Sequence, residues 1–272
     1  MGMWVGRGRK ARRCYGFDEI ALVPGGTTIN PNEVDTSWEL GGKTYKVPIM
    51  AAAMDGVVDV RFAIEMARLG GIAVLNLDGI QTRYENPEEI LKKIAKASSD
   101  EATKLVQSLY VKPIKEKLIE KRIKEIKKKK ATVAVSTIPQ NAERFGNIAQ
   151  KAGADIFIIQ STVISVRHIS KQYKVVDLKK FIRSMKIPVI LGNCVTYNVA
   201  LELMEAGASG ILVGIGPGAA CTTRGVLGIG VPQVTATSDA SAARDFHYKK
   251  TGKYIPIITD GGMDSGGDIC KA

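Results

Sequence analysis

From residue 45 onward, the chain repeats one unit: a short apolar run, a turn, and a segment with helical periodicity. Continuous apolar runs that alternate with amphipathic segments predict parallel strands that are buried on both faces, with helices in the crossovers. Several helical segments close on glycine, as in LGG, KAG and EAG, which predicts left-handed C-terminal caps. The seven predicted strands lie at 46–54, 71–79, 131–137, 154–162, 187–193, 210–216 and 254–262.

Polar residues and glycines follow many of these strands rather than the first one alone. An open, doubly wound sheet usually carries one glycine-rich fingerprint, whereas a (β/α)8 barrel builds its site from the ends of all its strands. The sequence therefore favours an α/β TIM barrel. The polar and glycine positions are Met54–Asp55, Asn76, Gln160–Ser161, Asn193, Gly214–Cys221 and Asp260–Gly262.

The series of strands stops at the seventh. A barrel that lacks one strand leaves two sheet edges open and its core uncovered. We therefore expect a TIM barrel truncated at its C-terminus, as a piece of a longer protein or the product of a shortened gene. Within the chain we expect one catalytic domain over residues 1–272.

The net charge of +12 raises the question of a nucleic-acid partner. Much of the basic excess lies in residues 111–131, which predict an amphipathic helix with a basic solvent face, so we expect no specific nucleic-acid binding. The basic face could instead help to attract anionic substrates. The apolar positions of this helix are Ile114, Leu118, Ile119, Ile123 and Ile126.

Cysteine usage and hydropathy point to a cytoplasmic protein. The four cysteines are widely spaced, no CxxC occurs, and only two histidines are present, so we expect neither zinc nor a disulfide framework. No apolar run follows the basic N-terminus or reaches spanning length, so we expect neither a secretory signal nor a membrane partner.

Cys221 is the first candidate for chemistry, because it lies in the glycine-rich stretch GIGPGAACTTRG at 214–225. Backbone amides and a nearby cation, Arg224, would lower the pKa of its thiol and favour a nucleophilic thiolate. The alternative is a small residue in a turn. The crowded carbonyls of the loop also make a monovalent cation site conceivable.

Two other strand ends carry candidate ligand-binding residues. Asp260, before two glycines, suits a sugar-phosphate ligand, although an Asp-Gly turn is equally common. Asn193 could bind a ligand or only cap the next helix. His168 and His247 have no partner motif and are not expected to be catalytic.

Taken together, these motifs resemble the IMP dehydrogenase/GMP reductase family. The most specific is GIGPGAACTTRGVLGIGVPQ, which is similar to that family's catalytic loop, a GxGPGSxCTTR-type stretch followed by GVGxPQ. YGFDEIALVPG, VPIMAAAMDGVVD, ILGNCVT and ITDGGM resemble its N-terminal segment and its first, fifth and seventh strands. These motifs lie at 214–233, 15–25, 47–59, 190–196 and 258–263.

The resemblance implies oxidation of IMP to XMP with NAD. Cys221 would attack C2 of the purine, hydride would pass to NAD, and the thioimidate would be hydrolysed with help from Thr223. The implied substrate contacts are Met54, Ala219, Asp260, Gly261 and Gly262. The implied cofactor contacts are Gln160, Asn193, Gly214, Ile215 and Gly216. Potassium would bind the carbonyls of Gly216, Gly218 and Cys221, and the resemblance also implies a homotetramer.

Departures from the family pattern keep alternatives open. Ala219 and Ala52 stand where serines usually contact phosphate, and Gln160 replaces the aspartate that usually touches the NAD ribose. No CBS pair follows the second strand, which resembles the branch that lacks these domains. The alternatives are GMP reductase, against which Val231 argues slightly, and a non-catalytic purine-nucleotide-binding homologue. The family's flap, a segment that activates the attacking water, and the eighth strand are missing. We therefore expect this chain alone to be inactive.

Overall fold

Seven parallel strands form the central sheet of the protein. The structure is a computed structural model that describes residues 2–272. Every strand pairs with its neighbours in the chain, so the sheet order is sequential from β5 to β11. These strands are Met50–Ala51 (β5), Ile72–Asn76 (β6), Ala134–Thr137 (β7), Ile156–Gln160 (β8), Val189–Cys194 (β9), Gly210–Val213 (β10) and Ile257–Thr259 (β11). Two antiparallel hairpins precede them: Met3–Gly6 (β1) with Arg9–Ala11 (β2), and Trp38–Leu40 (β3) with Lys43–Tyr45 (β4).

Helices follow the strands in the chain, and several of them cover the outer face of this sheet. They are Val60–Arg68 (α1), Ile80–Arg83 (α2), Pro87–Lys96 (α3), Ser99–Tyr110 (α4), Glu116–Lys127 (α5), Ala142–Ala152 (α6), Leu178–Ser184 (α7), Tyr197–Glu205 (α8), Thr223–Leu227 (α9), Gln233–Thr251 (α10) and Gly266–Lys271 (α11). None of the helices within residues 2–272 combines the length and the apolar character needed to cross a membrane.

All seven predicted strands are present, and the expectation of a TIM barrel that stops after its seventh strand is confirmed. A doubly wound sheet would reverse its strand order at a switch point, and this sheet does not. The predicted basic amphipathic helix is α5, whose apolar positions from Leu118 to Ile126 are buried. Between β6 and β7 the chain forms the four helices α2 to α5, where the family resemblance allowed for a CBS pair.

Alternation along the strands divides the core into two layers. Ile156 and Ile158 of β8 face the inside of the curved sheet, and Phe157 and Ile159 face the helices. The same period of two recurs along β6. Because successive side chains of a strand point to opposite faces, a continuous apolar run fills both layers at once.

The β3–β4 hairpin closes the amino-terminal end of the barrel. Leu40 and Tyr45 are buried in the inner layer, against the first residues of the central strands. A Cβ atom on Gly41, whose φ is +58°, would lie 2.1 Å from Pro188 at the start of β9. The hairpin therefore lies directly on the strand starts, which leaves the carboxyl ends of the strands as the open face.

Asp155 ties this hairpin to the barrel wall. Its carboxylate accepts hydrogen bonds from Lys43 Nζ at 2.8 Å, from Lys127 Nζ at 2.7 Å and from the Val133 amide at 2.9 Å. Burial opposes ionisation of Asp155, but these hydrogen bonds outweigh it and hold the pKa of the carboxyl below its usual value. One side chain thus joins β4, the end of α5 and the starts of β7 and β8.

We predict that Asp155→Asn lowers the free energy of unfolding at neutral pH by roughly 1–3 kcal/mol, because charged hydrogen bonds to a mostly buried group are lost. A carboxyl whose pKa is lowered on folding stabilises the protein above its unfolded pKa and loses this effect as the pH falls. The difference from wild type should therefore shrink towards pH 3. Urea unfolding across this range measures it.

The matched control is Glu88→Gln, which breaks the exposed pair with Lys92. Exposed pairs contribute at most about 1 kcal/mol, so this variant should stay close to wild type at every pH. An Asp155→Asn variant as stable as Glu88→Gln at neutral pH would show that the Asp155 contacts do not hold the hairpin.

Candidate active site

The predicted site residues gather at the carboxyl ends of the strands. Met54 lies in the turn after β5, Gln160 ends β8, Asn193 lies within β9, and the segments after β10 and β11 carry Cys221 and Asp260. Parallel strands bring these ends to one edge of the barrel, which is where TIM barrels bind their ligands. The face predicted from the sequence is thus one continuous surface.

A hydrogen-bonded network of three side chains surrounds Asp260. Asn193 Nδ2 donates to Asp260 Oδ2 at 2.7 Å, and Gln160 Nε2 donates to the same oxygen at 3.2 Å. Gln160 Nε2 also donates to Asn193 Oδ1 at 3.0 Å. Three strand ends therefore hold one carboxylate in a fixed orientation.

This network changes how two of the predicted residues are interpreted. Of the two alternatives for Asn193, helix capping does not occur, because Thr196 caps α8 and Asn193 is bonded to Asp260. Gln160 and Asn193, both expected at the cofactor, turn their amide nitrogens to the carboxylate expected at the substrate ribose. The sequence could not show this, since Gln160 and Asp260 are 100 residues apart.

Cys221 is exposed, and its Sγ donates to Thr223 Oγ1 at 3.2 Å. Hydrogen bonds from the Thr223 side chain and amide to the thiolate lower the pKa of Cys221; attraction by Arg224 contributes less, and Asp260 opposes it. The cation expected beside the thiol is thus a lesser influence than the threonine. The arrangement favours a thiolate that is open to a ligand.

Arg224 mainly braces the loop. Its guanidinium donates to the Ile215 carbonyl through Nε at 3.0 Å and to the Val231 carbonyl at 2.7 Å, so it joins both sides of the Cys221 segment. Cβ atoms on Gly216 and Gly230 would each lie 2.8 Å from the Arg224 side chain. These two glycines therefore make room for the arginine.

The predicted cofactor residues at the start of the loop are packed against protein. A Cβ on Gly214 would lie 2.5 Å from the Asp260 carbonyl and 3.0 Å from Gln233. The Ile215 side chain is only 5% exposed. Gln233, which the sequence analysis did not single out, donates to the Val213 carbonyl at 2.6 Å. Contacts from this segment to a cofactor would have to come from its backbone.

The glycines after Asp260 pack against the cysteine loop. Gly261 and Gly262 have φ values of +86° and +80°, and a Cβ on either would lie 3.2 Å from Pro217. This close approach brings their amides beside the loop. Ala219 is exposed there, and its methyl group offers no hydrogen bond to a phosphate.

The same loop was predicted to bind potassium through three carbonyls. The Gly218 carbonyl accepts a hydrogen bond from the Cys221 amide at 3.0 Å. A carbonyl oxygen has two lone pairs, so this contact leaves one for a cation. The oxygens of Gly216, Gly218 and Cys221 are thus of the right chemical type for a monovalent cation.

A second carboxylate that sequence reasoning missed joins neighbouring strand ends. Asp78 accepts hydrogen bonds from Thr137 Oγ1 at 2.8 Å, the Ile138 amide at 2.9 Å and Asn141 Nδ2 at 2.6 Å. It fastens the segment after β6 to the segment after β7. Its position in NLDG, directly after a predicted strand, was the available signal.

A cleft of about 240 Å³ opens next to Gln160, between the segments that follow β7 and β8. His168 and Tyr173 line it, stacked with ring centroids 5.9 Å apart. His247 is buried within α10, and its Nδ1 lies 3.2 Å from the Lys253 carbonyl.

We predict that Thr223→Val slows alkylation of Cys221 by iodoacetamide several-fold at neutral pH. The valine removes the hydroxyl hydrogen bond that lowers the thiol pKa, so the rate profile should move to higher pH. Peptide-resolved mass spectrometry measures the rate, and the exposed Cys270 on α11 provides an internal reference. An unchanged profile for Cys221 would exclude Thr223 as its activating partner.

Comparison with known proteins agrees with this geometry. The family model "IMP dehydrogenase / GMP reductase domain" matches residues 14–272. An uncharacterized oxidoreductase of Mycolicibacterium smegmatis is 36% identical over 98% of this chain and 73% of its own length. The inosine-5'-monophosphate dehydrogenase of Cryptosporidium parvum is 35% identical over 94% of this chain and 63% of its own length.

A solved structure also resembles the chain. The crystal structure of an IMP dehydrogenase/GMP reductase-like protein from Corynebacterium glutamicum superposes with a TM-score of 0.93 at 35% identity. The match covers 99% of this chain and 72% of that one. On the strength of its sequence, its fold and the cysteine loop, the chain belongs to the IMP dehydrogenase/GMP reductase family of oxidoreductases.

Proposed function

We propose that residues 1–272 form one catalytic barrel domain whose site binds a purine nucleoside 5'-monophosphate, and that within a complete eight-stranded barrel this site oxidises IMP to XMP with NAD. The observation that carries this proposal is the exposed Cys221, whose thiol pKa is lowered by Thr223, in a loop packed against the Asp260 segment. A nucleophile and a fixed carboxylate on one surface match a ligand with an electrophilic base and a ribose.

Asp260 provides the contact for the sugar. Its Oδ2 accepts from Asn193 and Gln160, which leaves Oδ1 without a hydrogen bond from the described residues and directs it to the ribose hydroxyls. The amides of Gly261 and Gly262 hold the phosphate region, where Ala219 contributes no hydroxyl. Met54, whose side chain is 52% exposed, contacts the purine.

Cys221 carries the covalent step. Its thiolate adds to C2 of the purine, the C2 hydrogen leaves with its electron pair as hydride, and a thioimidate remains on the sulfur. Water then attacks C2, and the C–S bond breaks to release XMP and regenerate the thiol. Thr223, within hydrogen-bonding distance of Sγ, stabilises the thiolate before addition and on release.

NAD, when bound, supplies the acceptor for the hydride. The 240 Å³ cleft beside Gln160 offers the stacked His168 and Tyr173 to a planar group of an extended dinucleotide. Potassium would rest on the carbonyls of Gly216, Gly218 and Cys221 and hold the loop around the thiol. In keeping with the family, we propose a homotetramer.

GMP reductase is the second candidate, since the same thiol can attack C2 of GMP and release its amino group. A purine-nucleotide-binding homologue without catalysis is the third. Ala52 and Ala219 in place of serines favour it, as does Gln160, which is directed to Asp260. Substrate assays on the complete eight-stranded barrel separate the three: IMP with NAD forms NADH in a dehydrogenase, GMP consumes NADPH in a reductase, and saturable binding alone indicates a binder.

We predict that the chain binds IMP in calorimetric titrations and that Asp260→Ala weakens binding by roughly 10- to 100-fold. Hydrogen bonds to a charged group contribute about 1.5–3 kcal/mol, which corresponds to this range. Cys221→Ala should leave binding to this chain nearly unchanged, because the covalent step follows binding, and should abolish turnover by the complete eight-stranded barrel.

The matched control is Asp264→Ala, which removes an exposed carboxylate four positions along the same segment. Its affinity for IMP should stay within two-fold of wild type. Equal losses in Asp260→Ala and Asp264→Ala, or turnover by Cys221→Ala, would contradict the proposed site.

A further inference from the structure

Helix α4 reaches the open face of the barrel through its last residue, Tyr110. The Tyr110 hydroxyl donates to Asp55 Oδ2, and the Ile80 amide donates to the same oxygen at 2.8 Å. Asp55 directly follows Met54, the proposed purine contact. One carboxylate oxygen thus joins the turn after β5 to α2 and to α4.

The Asp55 carboxylate packs closely against Gly79. A Cβ on Gly79 would lie 2.1 Å from Asp55 Oδ1 and 2.3 Å from Oδ2, so only glycine leaves room for the carboxylate. Oδ1 is buried and accepts no hydrogen bond from the part of the chain that the structure describes. Because an unpaired buried oxygen is costly, the two donors to Oδ2 must hold the carboxylate in place.

The end of α4 is held by contacts that do not involve Asp55. Tyr84 Oη donates to the Leu109 carbonyl at 2.9 Å. Arg83 donates to the Asp78 carbonyl at 2.9 Å and to the Lys112 carbonyl, and its guanidinium lies 5.4 Å from the centre of the Tyr110 ring. These contacts therefore hold Tyr110 where its hydroxyl can donate to Asp55.

Asp55 sits inside the turn that directs Met54. The Met54 carbonyl accepts from the amides of Val57 and Val58, both at 2.9 Å, and the Met54 amide donates to the Ala52 carbonyl at 2.8 Å. The Met54 side chain leaves this turn towards solvent on the open face. A fixed Asp55 side chain restrains the backbone of this turn, from which the Met54 side chain projects.

We propose that Tyr110 is a positioning residue for the purine: it acts through Asp55 to fix the turn that presents Met54 to the base. The inference rests on the proposed function, in which Met54 contacts the purine. It assigns to helix α4, which lies between β6 and β7 in the chain, a part in ligand binding. Burial and the Asp55 charge raise the pKa of Tyr110, so its hydroxyl remains a donor at neutral pH.

The test is Tyr110→Phe in the full chain, which removes one hydroxyl and keeps the ring under Arg83. We expect IMP affinity, measured by calorimetry, to fall about 3- to 10-fold, the range for one lost hydrogen bond. In a Met54→Ala background the same change should have little further effect, because both substitutions weaken the same contact, the one between Met54 and the purine. In an Asp260→Ala background the two losses should multiply.

The matched control is Tyr84→Phe. It removes the hydroxyl that donates to Leu109 at the end of α4 and leaves the Tyr110 hydroxyl bonded to Asp55. Its IMP affinity should stay within two-fold of wild type, because the Arg83 contacts still hold the end of α4 and the Tyr110 hydroxyl still reaches Asp55. Equal losses in Tyr84→Phe and Tyr110→Phe, or additive losses from Tyr110→Phe and Met54→Ala, would overturn the proposal.

Hydrogen exchange separates this inference from the proposed function. In Tyr110→Phe without ligand, the amides of Val57 and Val58 should exchange faster, while core amides such as Ile158 stay protected. If wild-type protein binds no IMP, the proposed function fails and the exchange rates still decide whether Tyr110 fixes the turn. Unchanged exchange at Val57 and Val58 would overturn the role of Tyr110 in either case.

Discussion

Sequential pairing of seven parallel strands is the constraint on which the rest of the structure depends. Backbone hydrogen bonds in this order place every carboxyl end at one edge, and the β3–β4 hairpin covers the opposite edge. Asp155 fastens that hairpin through Lys43 and Lys127. The open face is therefore the surface on which residues from distant parts of the chain can meet.

Two carboxylates organise this face. Asp260 is oriented by Asn193 and Gln160, which both donate to one of its carboxylate oxygens. Asp55 is fixed by hydrogen bonds from Tyr110 and the Ile80 amide. Its carboxylate fits there because Gly79 has no side chain. In both cases, groups from other segments of the chain hold the carboxylate in one orientation.

Much of the fold could be predicted from the sequence, because apolar periodicity encodes strands and helices locally. The strands, the amphipathic helix α5 and the exposed Cys221 in its glycine loop follow from short stretches. The roles of Asn193 and Gln160 could not be predicted, since a strand-end amide reads equally well as a helix cap or a ligand contact. Only the strand register placed both amides against Asp260.

The sequence by itself thus determined the barrel, the open face and the cysteine loop, since each depends on residues close together in the chain. Tertiary structure alone decided which partners surround Asp55 and Asp260. Tyr110 meets Asp55 across 55 residues, and Asn193 meets Asp260 across 67. Such pairings depend on how helices and strands pack against one another, and local propensity does not encode that packing.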